Sequence, residues 1–401
     1  MSEWMVTQIG DIAEIFDGPH ATPKKTDIGP WFLSISSLKQ GKLDLSESAH
    51  LSTEDFQLWT RRVTPHEGDV LFSYETRLGE AAMMPGGIQA CLGRRMGLLR
   101  PKANKIDSRF LLYAYLGPEF QEVIRQRSVR GATVDRIPLA NLPIWPIRIP
   151  SIAKQRTIGR LLGAIDDKIA VNEKAADAAL QLAMAEYEMS AINGRFNREI
   201  SMADCAEWFS GGTPKTSEES YWRGDIPWVS ALSLKSPWID DSDRKVTILG
   251  AKNGTRLVPK GTIIFVVRGS SLDTEFRIGL TQREVAFGQD CKALRAKDGT
   301  DPAVLFVAIK SHTVEILQLV DHTGHGAGRL ATDLISKVTI MLPDEHLNSQ
   351  ASMTLRPLVE IGANRRAENR TLLALRDTLL PKLMSGEIRV QDAEKVVEEV
   401  T

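Results

Sequence analysis

The chain has 401 residues, room for two or three domains of ordinary size. A hydrophobic fraction of 42% beside 25% charged residues excludes a disordered chain, and a formal net charge of -1 excludes a global electrostatic excess, so any nucleic-acid surface must be a local patch. No apolar run approaches the ~18 residues of a membrane span, and the start MSEWMVTQIGDI carries no basic-then-apolar leader. Cys91, Cys205 and Cys291 are isolated and odd in number, which points to a reducing, cytoplasmic setting without a disulfide framework.

Residues 1–150 form a first globular unit, which opens DIAEIFDGPHATPKK from Asp11. Its short apolar runs VLF and GLLRP, bounded by Gly, Pro or charge, predict strands, whereas RFLLYAYLGPEFQEVI has helical spacing and length. Beyond that helix Arg125, Arg127, Arg130 and Arg136 surround Gly131, with Asp135 the acid among them. Guanidinium forks pair bidentately with anionic oxygens, so the cluster suits phosphate contact; the bland alternative is an ordinary solvated face. Lys24, Lys25, Arg77, Arg94 and Arg95 are further candidate cations, and Arg94 and Thr133 are types that meet base edges in a major groove. The unit closes RIPLANLPIWPIRIP at Pro150.

Residues 151–195 predict a long helix. Ile158, Leu162, Ile165, Ile169, Asn172, Ala176, Ala179 and Ala183 follow at spacings of four and three, a heptad seam that needs a partner helix. About 30 helical residues at 1.5 Å rise would span roughly 45 Å, a spacer between two bodies. Asp166 and Asp167, near its start, read as carboxylates on a solvated surface.

Residues 196–343 repeat the first unit. DCAEWFSGGTPKT begins at Asp204, and Asp11, Ala13, Glu14, Phe16 and Gly18 recur as Asp204, Ala206, Glu207, Phe209 and Gly211, a constant offset of 193. Thr22-Pro23-Lys24 recurs as Thr213-Pro214-Lys215, Pro30-Trp31 as Pro227-Trp228, and PHEGDVLF from Pro65 as PKGTIIF from Pro259. TIIFVV, CKALRA and VTIMLP predict strands and PAVLFVAIKSHTVEILQLV a helix, so each unit is α+β. Arg329 falls where Arg136 stands, with His322 and His325 nearby; Lys215 answers Lys24 and Lys25, Gln289 answers Arg94 and Arg95, and Arg268 answers Arg77. Gln289 and Asn253 join the types able to read bases.

Residues 344–390 predict the partner helix, with Ile361, Asn364, Leu372 and Leu375 at offset 192 from Ile169, Asn172, Leu180 and Ala183. Pro357 predicts an early kink, Pro381 a second bend and Gly386 a stop. Asn172 and Asn364 become candidates for a buried pair that fixes register, the alternative being two exposed residues. Residues 391–401 read as a short acidic tail that frays.

Enzyme signatures are missing from the sequence. There is no G-x-x-x-x-G-K-[ST] loop, no G-x-S-x-G elbow and no H-E-x-x-H helix, and TGHGAGR at Gly324, Gly326 and Gly328 lacks the spacing of a nucleotide loop. His322 and His325 have no Cys or carboxylate ligands spaced around them, so no metal is expected. The Asp pairs at Asp166-Asp167 and Asp240-Asp241 do not recur in the repeat. The chain is expected to catalyse nothing alone.

Three features together make the chain resemble the specificity subunits of type I restriction–modification enzymes: Pro150…Gln155-Arg156…Ile165-Asp166…Ile169…Asn172, the closing LLPKLMSGEIRV from Leu379 to Val390, and Gly-x-Thr-Pro at Gly211 to Pro214. The first unit departs, reading Gly18-Pro19-His20-Ala21-Thr22-Pro23, and the second helix has Gln350-Ala351 where Gln155-Arg156 stands in the first. The resemblance implies two target-recognition domains, each reading half of a bipartite DNA site, and two helices forming an antiparallel coiled coil with pseudo-two-fold symmetry. It implies a prokaryotic complex with two methyltransferase subunits and restriction subunits, S-adenosylmethionine, ATP and Mg being bound by those partners and not by this chain. Two unlike heads in one chain predict an asymmetric split target, since true dimer symmetry would read a palindrome. The rivals are the DNA-recognition part of a fused restriction–methylation enzyme, a protein-binding scaffold with duplicated heads, and a stand-alone enzyme with an unrecognised site.

Overall fold

The computed structural model describes residues 4–131, 134–297, 299–322 and 327–400. They divide into two compact units, Met1–Ile169 with Arg370–Thr401, and Ala170–Asn369. No helix among the described residues is long and apolar enough to cross a membrane.

In the first unit an antiparallel sheet runs in the order Ala13–Asp17, Met96–Pro101, Val70–Ser73, Ala81–Met83. Its core buries Phe72 and Leu99 against Phe110 and Tyr115 of the helix Ser108–Leu116. The predicted single helix is two, because Gly117-Pro118 ends one and starts the next, Pro118–Arg127. Met5–Gln8 pairs with Pro146–Ile149, so the first and last strands of the repeat close on each other.

The second unit repeats this plan. Ala206–Ser210, Cys291–Ala296, Ile263–Val266 and Ile278–Thr281 are neighbours in the same order, with Trp238–Ile239 added at the edge, and Phe196–Ser201 closes on Thr339–Pro343. Its predicted helix is also two, Pro302–Ser311 and Thr313–Gln318. Cys91, Cys205 and Cys291 are free and buried; burial pushes the Cys205 thiol up to about 11 and the other two up to about 12.

Each long helix has 41 residues, Ile152–Ile192 and Glu345–Ser385, more than the ~30 expected. All eight predicted seam positions of the first helix are buried. The second runs unbroken through Pro357 and Pro381 and stops at Gly386, whose φ is +78°. Pro357 is exposed, and so is Met353 one turn earlier, so the carbonyl that loses its amide donor can be met by water. Asp166 is not merely solvated: it accepts from Arg376 Nη1 at 2.9 Å and from Tyr113 Oη at 2.6 Å, while Asp167 pairs with Arg109 at 2.8 Å. Residues 390–400 form a helix rather than a frayed tail, because Val390, Ala393 and Val397 recur at helical spacing and pack on the first unit's core.

In the second unit the helices run antiparallel, Asn172 meeting Asn369 and Asp177 meeting Arg366. The buried amide partner is therefore Asn369, not Asn364, which is exposed; Ile361, aligned with the buried Ile169, is 43% exposed. Repeat offset matches positions by descent, whereas an antiparallel seam opposes residues by counting in opposite directions. Asn172 Nδ2 donates to Asn369 Oδ1 at 2.9 Å. Asn369→Leu alone strands the Asn172 amide and lowers stability by about 1–3 kcal/mol; Asn172→Leu with Asn369→Leu recovers that loss or exceeds it. Urea denaturation of the three variants measures both, and a double variant no better than Asn369→Leu would contradict the buried pair.

Candidate nucleic-acid interface

The repeat places one backbone rung in each unit. In the first, Val129 and Arg136 exchange amide–carbonyl bonds at 2.9 and 3.1 Å in an antiparallel bridge next to the exposed Arg130, and Arg136 also bridges Glu75. In the second, Arg268 bridges Arg329, both exposed, and Leu330 N donates to the Val267 carbonyl at 2.9 Å. Ile137 N donates likewise to Tyr74 at 2.8 Å. The counterpart of Arg268 is therefore Glu75, not Arg77.

The neighbouring turn carries the same correspondence. Tyr74 N donates to the Arg95 carbonyl at 3.1 Å, and Val267 N to the Asp290 carbonyl at 2.9 Å, so Arg95 answers Asp290 and Arg94 answers Gln289. The rungs differ in charge at one member: Glu75 faces Arg136 in the first, and Arg268 faces Arg329 in the second. Glu75 holds Arg95 in an ion pair, Oε2 to Nε 2.9 Å, whereas Arg268 and Arg329 have no carboxylate within 4 Å among the described residues. Like charges directly opposite on a ladder repel; Asp321, opposite Arg329 on its other side, moderates that repulsion, and a bound anion would relieve it further.

The other predicted residues separate into free and occupied groups. Lys24, Lys25, Arg94, Arg127, Arg130 and Lys215 are exposed, Arg127 at the end of Pro118–Arg127. Arg125 is tied to Glu122 on the same helix, Nε to Oε2 2.9 Å. Arg77 is spent inside the first unit, donating to the Ile35 carbonyl at 3.0 Å and to Glu80 at 3.3 Å. Asn253 caps Ile248–Lys252, donating to the Leu249 carbonyl at 2.8 Å. Gln289 accepts from the Thr213 hydroxyl, which joins the Gly211–Lys215 loop to the Asp290 turn. His322 lies 3.3 Å from Asp273. Thr133, Gly324, His325 and Gly326 lie outside the described residues.

Sequence reading missed Arg244. Its guanidinium carbon lies 3.8 Å from the ring centre of Trp222 and 4.9 Å from that of Trp228. Trp222 Nε1 donates to the Lys215 carbonyl at 3.2 Å and Trp228 Nε1 to the Gly212 carbonyl at 3.0 Å, so this stack adjoins the Lys215 loop. The repeated Pro30-Trp31 and Pro227-Trp228 mark the strand, but no spacing within it shows that residues 244–245 lie opposite.

The chain matches the family described as type I restriction modification DNA specificity domain over residues 1–181 and 198–367. It is 25% identical over 146 residues to the specificity subunit of type I restriction enzyme EcoR124I/EcoR124II from Escherichia coli; the match spans 36% of this chain and 36% of that relative's length. It is 18% identical over 369 residues to the type I restriction enzyme HindI specificity subunit from Haemophilus influenzae, covering 73% of this chain and 80% of the other. A crystal structure of a type I restriction–modification system S subunit from M. genitalium has a similar fold, with TM-score 0.56 and 18% identity, over 95% of this chain and 96% of that one.

Proposed function

The chain belongs to the type I restriction modification DNA specificity family, and on that premise we propose that residues 1–150 and 196–343 each read one half of a bipartite, asymmetric DNA target. The carrying observation is the pair of matching rungs, Glu75 with Arg136 and Arg268 with Arg329, one scaffold bearing unlike charge. Two chemistries on one scaffold suit two different half-sites. Lys24, Lys25, Arg94, Arg127, Arg130, Arg136, Lys215, Arg268 and Arg329 supply phosphate contacts, so binding weakens steeply with salt.

At 1.5 Å per residue each 41-residue helix is about 60 Å long, more than one DNA turn of about 34–36 Å, and the helices set the gap between half-sites. Val171, Leu182 and Met189 on the first helix and Met353 and Ile361 on the second are exposed apolar residues that suit docking of two methyltransferase subunits, restriction subunits completing the complex. S-adenosylmethionine, ATP and Mg belong to those partners; this chain supplies the address in the cytoplasm and no catalysis.

Sequencing of methylated bases in the host genome, with and without the gene, should give one split motif that depends on it. Exchanging residues 1–150 for the head of another family member should change one half only. A motif altered in both halves would sink the reading.

A further inference from the structure

The second unit holds an arginine whose fork is held rigid and left unused. Arg244 is exposed, and its guanidinium stacks on Trp222 and Trp228, whose rings meet edge to face at 5.4 Å and 85°. Both indole N–H groups are tied to the Gly211–Lys215 loop, so neither ring is free to turn. Arg244 has no carboxylate within 4 Å among the described residues, and the nearby Asp241 is engaged by Lys245 at 3.2 Å. Stacking fixes the guanidinium plane and leaves its edge of N–H donors outward, which lowers the entropy cost of a bidentate contact.

The same ladder position exists in the first unit. Trp31 is opposite His50 in the strand register, and Pro227 opposite Lys245, with Trp228 N donating to the Arg244 carbonyl at 2.8 Å. Arg244 is thus the counterpart of His50, which stacks on Trp31 at 3.9 Å between ring centres. His50 Nδ1 is already bonded to the Gly29 carbonyl at 2.7 Å, leaving one ring nitrogen where the second unit presents a fork. One site on the repeated scaffold, beside a fixed tryptophan, therefore carries two different hydrogen-bonding groups.

We propose that Arg244 is a specificity-determining residue that reads a guanine in the half-site of the second unit, donating to O6 and N7 in the major groove. This rests on the function proposed above. Guanine is the base with two acceptors on its major-groove edge, the match for a guanidinium fork, and the exposed Lys215 on the adjoining loop would be free to meet a phosphate.

The test is methylome sequencing of cells expressing the full complex with the wild-type chain, Arg244→Ala or Arg244→Lys, the second half being the one that changes when residues 196–343 are exchanged. The wild-type second half should contain an invariant G. Arg244→Ala should lower discrimination at that position by about 5- to 150-fold, with the first half unchanged. Arg244→Lys, which keeps the charge and loses the fork, should relax the same position. Thermal melting separates misfolding from misreading. A full motif retained by Arg244→Lys makes the residue a charge contact and overturns the proposal, as does an unchanged motif or uniform loss at all sites in Arg244→Ala. A wild-type complex with no bipartite motif would overturn the underlying function as well.

Discussion

Asp166→Ala should lower the stability of the chain by about 3–5 kcal/mol in urea denaturation, because it leaves a buried guanidinium without its buried partner. The Arg376 side chain is 7% exposed and that of Asp166 16%, with 2.9 Å between Nη1 and Oδ1. Burial pulls the Arg376 pKa down, and the carboxylates of Asp166 and Asp377 more than restore it, leaving it above the ordinary arginine value. Asp377 does not substitute for Asp166: its side chain is 64% exposed, so water screens what it gives. Asp377→Ala should cost less than Asp166→Ala, about 1–3 kcal/mol, because it removes the acceptor of Arg376 Nε at 3.1 Å and Nη2 at 2.8 Å but leaves the buried Asp166 in place. Tyr113 adds a hydrogen bond to Asp166 from the helix Ser108–Leu116, so the same substitution strands a hydroxyl as well. Replacing both ions, Asp166→Leu with Arg376→Met, should recover most of the loss, since a buried ion pair costs nearly as much to desolvate as it returns. Asp166→Ala within about 1 kcal/mol of the parent would mean that water reaches Arg376.

The repeated strands were legible because burial writes itself into short apolar runs, and duplication places those runs twice at one offset. The heptad seam was legible for a similar reason: Ile158 to Ala183 keep one face of a helix, and all are buried. Contacts chosen by pairing were not legible. Asn172 finds Asn369 and Asp166 finds Arg376 only when two helices take a register, which no spacing within either helix states. Residue type pairs Arg268 with Arg77, whereas backbone bonding pairs it with Glu75, because position in the ladder and not side-chain identity is what the repeat keeps. In the candidate interface, sequence marks which residues are cationic but not which are spent inside the fold. Arg77 and Arg125 look like Arg94 and Arg130 until Glu80 and Glu122 are seen beside them.

Trp238→Ala should cost a further kind of stability, about 3–5 kcal/mol, by unseating the second unit's edge strand from its long helix. Trp238 is buried, and its Nε1 donates to the Val359 carbonyl at 2.9 Å, bonding the strand Trp238–Ile239 to the helix Glu345–Ser385. Gly362 makes the approach possible: a Cβ there would lie 1.9 Å from the indole ring. Gly362→Ala should therefore destabilise by about 1–3 kcal/mol through overpacking, although alanine is the better helix former by about 1 kcal/mol. The sign reverses once the ring is gone. In a Trp238→Ala background the added methyl fills part of the cavity and the helix-propensity gain is no longer opposed, so Gly362→Ala should stabilise by up to about 1 kcal/mol. Thermal or urea melts of the four chains read this coupling directly. If Gly362→Ala has the same effect in both backgrounds, the indole does not press on the helix; if the sign changes, the seat of the second unit on its helix is the Trp238–Gly362 contact.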